Sequence, residues 1–259
     1  MIVLLLPGIA GASPDAAIAP LAHAGETPRL RLYANVEEVD GRAHAKWRRK
    51  QDAEFHVDEL EDGTIVRVQR MGRGAVVEDR RYDAGGGLLV TIFRKADGSP
   101  ERAVVRSEPE QTVPLDGWTM QDVPGGRMAA PAPPVDIPGG SVRLGALDGE
   151  LDVWMRPTAD PLSDSFRAGI VAGCGCTVVE RAVAWVDGRP GVRYRLLVPD
   201  TGPSDPVDLW AVPVPAGLWL ATFRAAADAG AAPTDDRSSR LLAGRVLVAL
   251  VDLDGEPRR

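Results

Sequence analysis

Two thiols separated by a single glycine, Cys174-Gly175-Cys176, are the most pointed chemical feature of the chain and its only cysteines. Such a pair could close a small disulfide ring, and a strained ring is readily reduced, which is how redox-active pairs behave. The pair follows a helix C-terminus, where the negative end of the macrodipole disfavours a thiolate. An extended strand also places Cα atoms two residues apart at about 6.6–6.8 Å, near the limit of about 7 Å for a bridge. The sequence therefore predicts that Cys174 and Cys176 are reduced and buried in a small-residue corner, as free cysteines commonly are. A structural disulfide and active redox chemistry are the alternatives.

Lys46-Trp47-Arg48-Arg49-Lys50 is the one basic cluster. Cations interleaved with an indole could touch phosphate or anionic lipid, so Lys46, Trp47, Arg48 and Arg49 are candidate binding residues. Five acids between Asp52 and Glu61 blunt that field, and a solvated strand or loop is the competing reading. His44 and His56 lie on neighbouring strand candidates with Asp52 and Glu54 between them, but no compact ligand spacing such as H-E-x-x-H occurs, and no metal site is expected. Gly72-Arg73-Gly74 and Gly85-Gly86-Gly87 lack the Lys-Ser/Thr and the following helix of a phosphate loop. No G-x-S-x-G elbow is present, and Asp235-Asp236 reads as helix-start charge rather than a glycosidase dyad. No catalytic residue and no cofactor are assigned.

The balance of charge narrows the partners. The net charge is −7, with 30 basic and 37 acidic side chains. That argues against general nucleic-acid affinity, since phosphate backbones attract basic faces. No run of about 18 apolar residues occurs, so no transmembrane helix is expected. A small molecule or another protein is left as the partner. Hydrophobic content of 44% with only 5% aromatics predicts an aliphatic core.

These groups have to be positioned by an α+β framework. From Leu30 to Val123, short runs rich in valine recur between tight turns, which predicts an antiparallel meander with one buried and one wet face. Asp160 as N-cap, Pro161 at the first helical position and Leu162, Phe166 and Ile170 on one face predict a helix ending near Gly173. Thr177–Val186 and Val192–Val198, joined by Asp187-Gly188, form a hairpin signal. Phe166 and Ile170 are expected to be buried on the strand holding Val183 and Trp185, which makes this half a sheet with one or two packed helices. Thr234 can cap a final helix carrying Leu241, Leu242, Val246 and Leu250, while Arg245–Val251 reads equally as a last strand.

Composition suggests four segments. Residues 1–27 are either a secretory signal, with Ala10-Gly11-Ala12 and Ala22-His23-Ala24 as cleavage patterns, or a buried first strand over Ile2–Leu6. Residues 28–123 form the meander. Residues 124–140, with five prolines and four glycines, read as an extended linker without regular structure. Residues 141–259 form the second, helix-containing unit.

Glu180, Trp185-Val186-Asp187-Gly188, Gly217-Leu218-Trp219-Leu220 and the final apolar run follow one another in a pattern that resembles the PsbP-like α/β/α sandwich, an architecture shared with bacterial lipoproteins of the LpqN and DcrB kind. The resemblance covers about 110 residues of the second half by loose spacing. It implies an envelope or accessory binding protein and offers no catalytic residue to transfer. The expectation is a non-enzymatic, exported or envelope-associated binding protein. A cytoplasmic interaction or regulatory protein is the alternative, ahead of a thiol-redox or hydrolytic enzyme.

Overall fold

The computed structural model describes residues 23–48, 53–106, 110–137, 141–146, 149–198, 206–225 and 244–253. The apolar start of the chain, Arg49, Asp52 and the segment from Thr234 to Leu242 lie outside the described residues, and so do the expectations placed on them. The described chain is a strand-dominated α+β fold with antiparallel pairing throughout.

The first sheet contains β1 (Arg29–Val39), β2 (Arg42–Arg48), β3 (Phe55–Glu59), β4 (Ile65–Gly72), β5 (Ala75–Tyr82), β6 (Leu88–Arg94), β7 (Pro100–Val105) and β8 (Gln111–Pro114), in the order β2-β1-β3-β4-β5-β6-β7-β8. The turn at Asp40-Gly41 has positive φ at both residues, the geometry that matches strand twist in a two-residue hairpin. The Gly41 carbonyl accepts from the Leu88 amide at 2.8 Å, so the β1–β2 hairpin bends over the sheet. Val36, Phe55, Val57, Val68 and Tyr82 fill the space beneath it.

The second sheet contains β11 (Val135–Ile137), β12 (Ser141–Ala146), β13 (Gly149–Arg156), β14 (Thr177–Val186), β15 (Arg189–Leu197), β16 (Pro206–Val214) and β17 (Gly217–Ala225), ordered β11-β12-β13-β17-β16-β15-β14. The hairpin expected at Asp187-Gly188 forms, again with positive φ at both positions. Alternation along a strand sends successive side chains to opposite faces, and β17 shows it: Trp219, Ala221 and Phe223 pack on the face toward the first sheet, while Leu218 and Leu220 pack on the other.

One apolar cluster joins both sheets, running from Val90, Ile92 and Ala103 to Trp210, Val212, Trp219 and Phe223. The stretch expected to be a linker is part of it. β10 (Gly126–Ala130) pairs with β9 (Thr119–Val123) and with β18 (Val251–Leu253), and Met128, Ala129 and Ala130 are buried. Proline and glycine did not prevent this, because the prolines lie outside β10 and its glycine is functional there. A Cβ on Gly126 would clash with the Asp252 carbonyl, so only glycine lets β18 approach. The two readings for residues 245–251 are both realised in succession: residues 244–249 form a short helix, α2, and β18 follows at once.

α1 (Asp164–Cys174) also departs from expectation at both ends. Ser163, not Asp160, is the N-cap, accepting from the Phe166 amide; Asp160 instead accepts from Leu162 just upstream. Gly175, in the left-handed conformation, is the C-cap, as residues without a Cβ favour. None of its residues is fully buried. Phe166 and Ile170 lean on the outer face of the second sheet, over Tyr194 and Leu196, and not on Val183 and Trp185. The Phe166 and Tyr194 ring centroids are 6.1 Å apart, and the Tyr194 hydroxyl donates to the Pro161 carbonyl to hold the helix entry. With Phe166 half-exposed, Phe166→Ala is expected to cost about 1–2 kcal/mol rather than the about 3–5 kcal/mol of an emptied core site. Urea denaturation would measure it, and a loss above about 3 kcal/mol would show that the helix is core.

Candidate functional site

Between the two sheets and α2 lies a cavity of about 300 Å³, at the small end of the usual range for ligand pockets. Its apolar wall comes from Ala182, Ala184 and Val186 of β14, Trp210 of β16, and Val248 and Ala249 of α2. Arg81, Arg193 and Arg245 bring positive charge to the lining, and Glu180 and Asp83 bring negative charge.

Strand alternation explains how charged side chains reach an interior space. β15 points Arg193 and Arg195 to the face opposite Tyr194 and Leu196, and β16 points Asp208 to the same face as Trp210. Register then pairs them. Arg195 stands opposite both Glu180 and Asp208, donating to Asp208 Oδ1 at 3.1 Å and to Glu180 Oε2 at 2.9 Å. Arg193 reaches diagonally to the same two carboxylates. The four charges balance, so Glu180 has both oxygens occupied.

A second ionic group sits where β4 and β5 meet the second sheet. Arg67 makes a two-pronged contact with Asp79, Nε to Oδ1 at 3.0 Å and a terminal nitrogen to Oδ2 at 2.8 Å. It also reaches Asp187, in the β14–β15 turn, at 3.3 Å. Arg81 donates to Asp79 Oδ2 at 3.0 Å and to the Ala249 carbonyl of α2 at 3.4 Å. The Leu253 amide donates to the other Asp187 oxygen. This network ties the first sheet to the second and to the C-terminal segment. Burial alone pushes the Asp79 carboxyl up, but the Arg67 and Arg81 guanidiniums outweigh it and hold the group well below the usual carboxylate range.

Three groups at the cavity are left over. The Nε of Arg81 and the hydroxyl of Tyr82 are buried without a hydrogen-bond partner. Arg245 makes no hydrogen bond or ion pair among the described residues; burial, and then the like charge of Arg193, pull its pKa down. By contrast the exposed Asp83, at the cavity margin, turns its Oδ1 to the amides of Gly85 and Gly87 in its own turn.

None of the candidate site residues singled out by sequence lines this space, although Glu180, Trp185 and Val186, which carry the resemblance, do. Lys46, Trp47 and Arg48 sit on β2, the outer edge strand of the first sheet. Lys46 is paired with Glu37 at 2.6 Å, and Trp47 is 73% exposed. His44 stands opposite Glu37 on β1 and His56 opposite Leu32, so β1 separates them. Cys174 and Cys176 lie on the far side of the second sheet, and they are joined in a disulfide, not reduced. The expectation assumed an extended start to β14. The left-handed Gly175 instead turns the chain and draws the two Cα atoms to 5.1 Å. Cys176 is buried but Cys174 is exposed. Thiol titration of the denatured, unreduced protein is expected to find no free thiol, and two free thiols per chain would contradict the pairing. Because the ring is so small, Cys174→Ala with Cys176→Ala should cost little stability.

The residues missed by sequence reading are Arg81, Glu180, Arg193 and Arg245. For Arg193 the available signal was charge at alternate positions on a valine-rich strand, VRYRLL, which reads equally as a wet face, while Arg81 lies in a run of four charges, EDRR.

No protein-family model and no curated protein matches the chain. Among solved structures it is similar to cyanobacterial PsbP from Synechocystis, at 12% identity and a TM-score of 0.33, over 64% of this chain and 92% of that one. The class that the structure itself defines is a two-sheet α+β protein with a charged, apolar-walled cavity between the sheets. No described helix is long and apolar enough to cross a membrane.

Proposed function

We propose that this protein is a non-enzymatic, envelope-associated binding or accessory protein that holds a small molecule between its sheets. The cavity carries the reading. Its apolar wall can exclude water, and its few polar groups can orient a guest, the usual constitution of a binding pocket. The sequence resemblance of the second half to envelope lipoproteins points the same way, as does the apolar start of the chain with its two small-residue cleavage patterns.

Native mass spectrometry of the full chain recovered from its own cells tests both parts. A bound mass that disappears in Ala184→Leu, which narrows the cavity, is the expected result. A cavity that never retains a guest, with Ala184→Leu melting no differently, would overturn the binding role. The same spectrum reads the N-terminus: loss of residues 1–12 or 1–24 supports export, whereas an intact start supports the cytoplasmic interaction protein instead.

A further inference from the structure

We infer that the guest of this cavity is a small amphiphilic anion, an acyl-type carboxylate whose head group pairs with Arg245 and Arg81 while its tail lies along Ala184, Val186 and Trp210. This rests on reading the cavity as a binding site and adds the sign of the charge and the anchoring residue.

The argument is an inventory of donors and acceptors. Around the cavity, both oxygens of Glu180 serve Arg193 and Arg195, and Oδ1 of the exposed Asp83 serves its own loop. The groups without a hydrogen bond among the described residues are Arg81 Nε, the Tyr82 hydroxyl and the guanidinium of Arg245, and each of them can donate. Arg81 is only 7% exposed, so its orphaned Nε is desolvated without return, and a buried donor of that kind costs stability unless something accepts from it.

Both guanidiniums line the same cavity: Arg81 enters from β5 and also donates to the Ala249 carbonyl of α2, and Arg245 stands in the first turn of α2. The other ionic sets near the cavity are internally matched, Arg193 and Arg195 against Glu180 and Asp208, and Arg67 and Arg81 against Asp79 and Asp187. Arg245 is the added cation: it makes no ion pair with a described carboxylate, and Asp208 and Glu180 attract it only from beyond contact while Arg193 and Arg195 repel it. A planar guanidinium favours a carboxylate, which it can grip through two hydrogen bonds. Apart from Tyr82, Asp83, Glu180 and Arg193, the rest of the wall is aliphatic plus two indoles, Trp185 and Trp210, suited to a short hydrocarbon chain.

Calorimetric titration of the full chain with octanoate, octanamide and octylammonium separates charge from hydrophobicity. Octanoate is expected to bind about tenfold or more tightly than octanamide, the yield of one charge-assisted contact out of bulk water, and octylammonium not at all. Arg245→Gln should erase the difference between octanoate and octanamide while leaving octanamide affinity in place, and Arg245→Lys should keep part of it. Equal binding of octanoate and octanamide by the native protein would overturn the anion assignment and leave the cavity reading standing. An octanoate preference that survives Arg245→Gln would overturn the role of Arg245. Failure of all three probes to bind would overturn both the assignment and the binding role.

Discussion

Asp79→Ala is expected to destabilise the protein by about 3–5 kcal/mol, because it leaves two buried guanidiniums, Arg67 and Arg81, facing each other without their shared carboxylate. Asp79 is completely buried, so water cannot replace it. In urea the denaturation midpoint should fall with little change in slope. Replacing Arg67, Asp79 and Arg81 together, by Met, Leu and Met, should cost far less than Asp79→Ala alone, since a buried ionic group exchanged as a whole for apolar residues is often neutral. A loss below about 1 kcal/mol for Asp79→Ala would show that the network contributes nothing net.

The same group sets a pH dependence. Its folded-state pKa is depressed, so the unfolded chain binds the proton more readily. The stabilisation is therefore complete above the ordinary aspartate pKa, about 3.9, and is lost as pH falls below that value toward the folded one. Acid unfolding monitored between about pH 5 and pH 2 should be steeper in the native protein than in the Met/Leu/Met triple variant, and equal slopes would remove Asp79 as the cause.

Trp219→Ala is the second large effect, at about 3–5 kcal/mol for emptying a large buried site. Trp219 is fully buried in the cluster that both sheets share. It also packs on the proline- and glycine-rich stretch, since a Cβ placed on Gly125 would come within 3.1 Å of its ring. The variant should therefore loosen that stretch and admit trypsin at Arg127, which the native protein resists. Because the core is continuous, the native chain should unfold in one transition seen alike by fluorescence and circular dichroism. Two separate transitions, with early cleavage at Arg127, would restore the description as two independent units joined by a linker.

Much of the local structure was legible without coordinates. Asp187-Gly188 specified its hairpin, because a two-residue turn with positive φ at both positions strongly favours Asp-Gly. The spacing of Phe166 and Ile170 specified a helix and its apolar stripe, while Leu162, expected on the same face, precedes the helix. The sequence misassigned details of that helix's neighbours, since capping depends on a hydroxyl reaching one amide, and Ser163 competed successfully with Asp160. The cysteine pairing was decided by one backbone angle, at Gly175, that no propensity dictates.

The sequence by itself determined most of the strands and turns, though not β10 and β11 in the expected linker, together with the alternating pattern of the faces and the acidic balance of the whole. Tertiary structure alone decided what covers each face. An alternating strand such as β15 carries the same pattern whether its charged side meets water or a second sheet, and only the arrival of the first sheet and α2 makes Arg193 and Asp208 interior. Once covered, those charges must be paired or answered by a guest, because an uncompensated ion in low dielectric is costly. That is why the candidate site, built from Arg81, Glu180, Arg193 and Arg245 on four separate elements, could not be read along the chain.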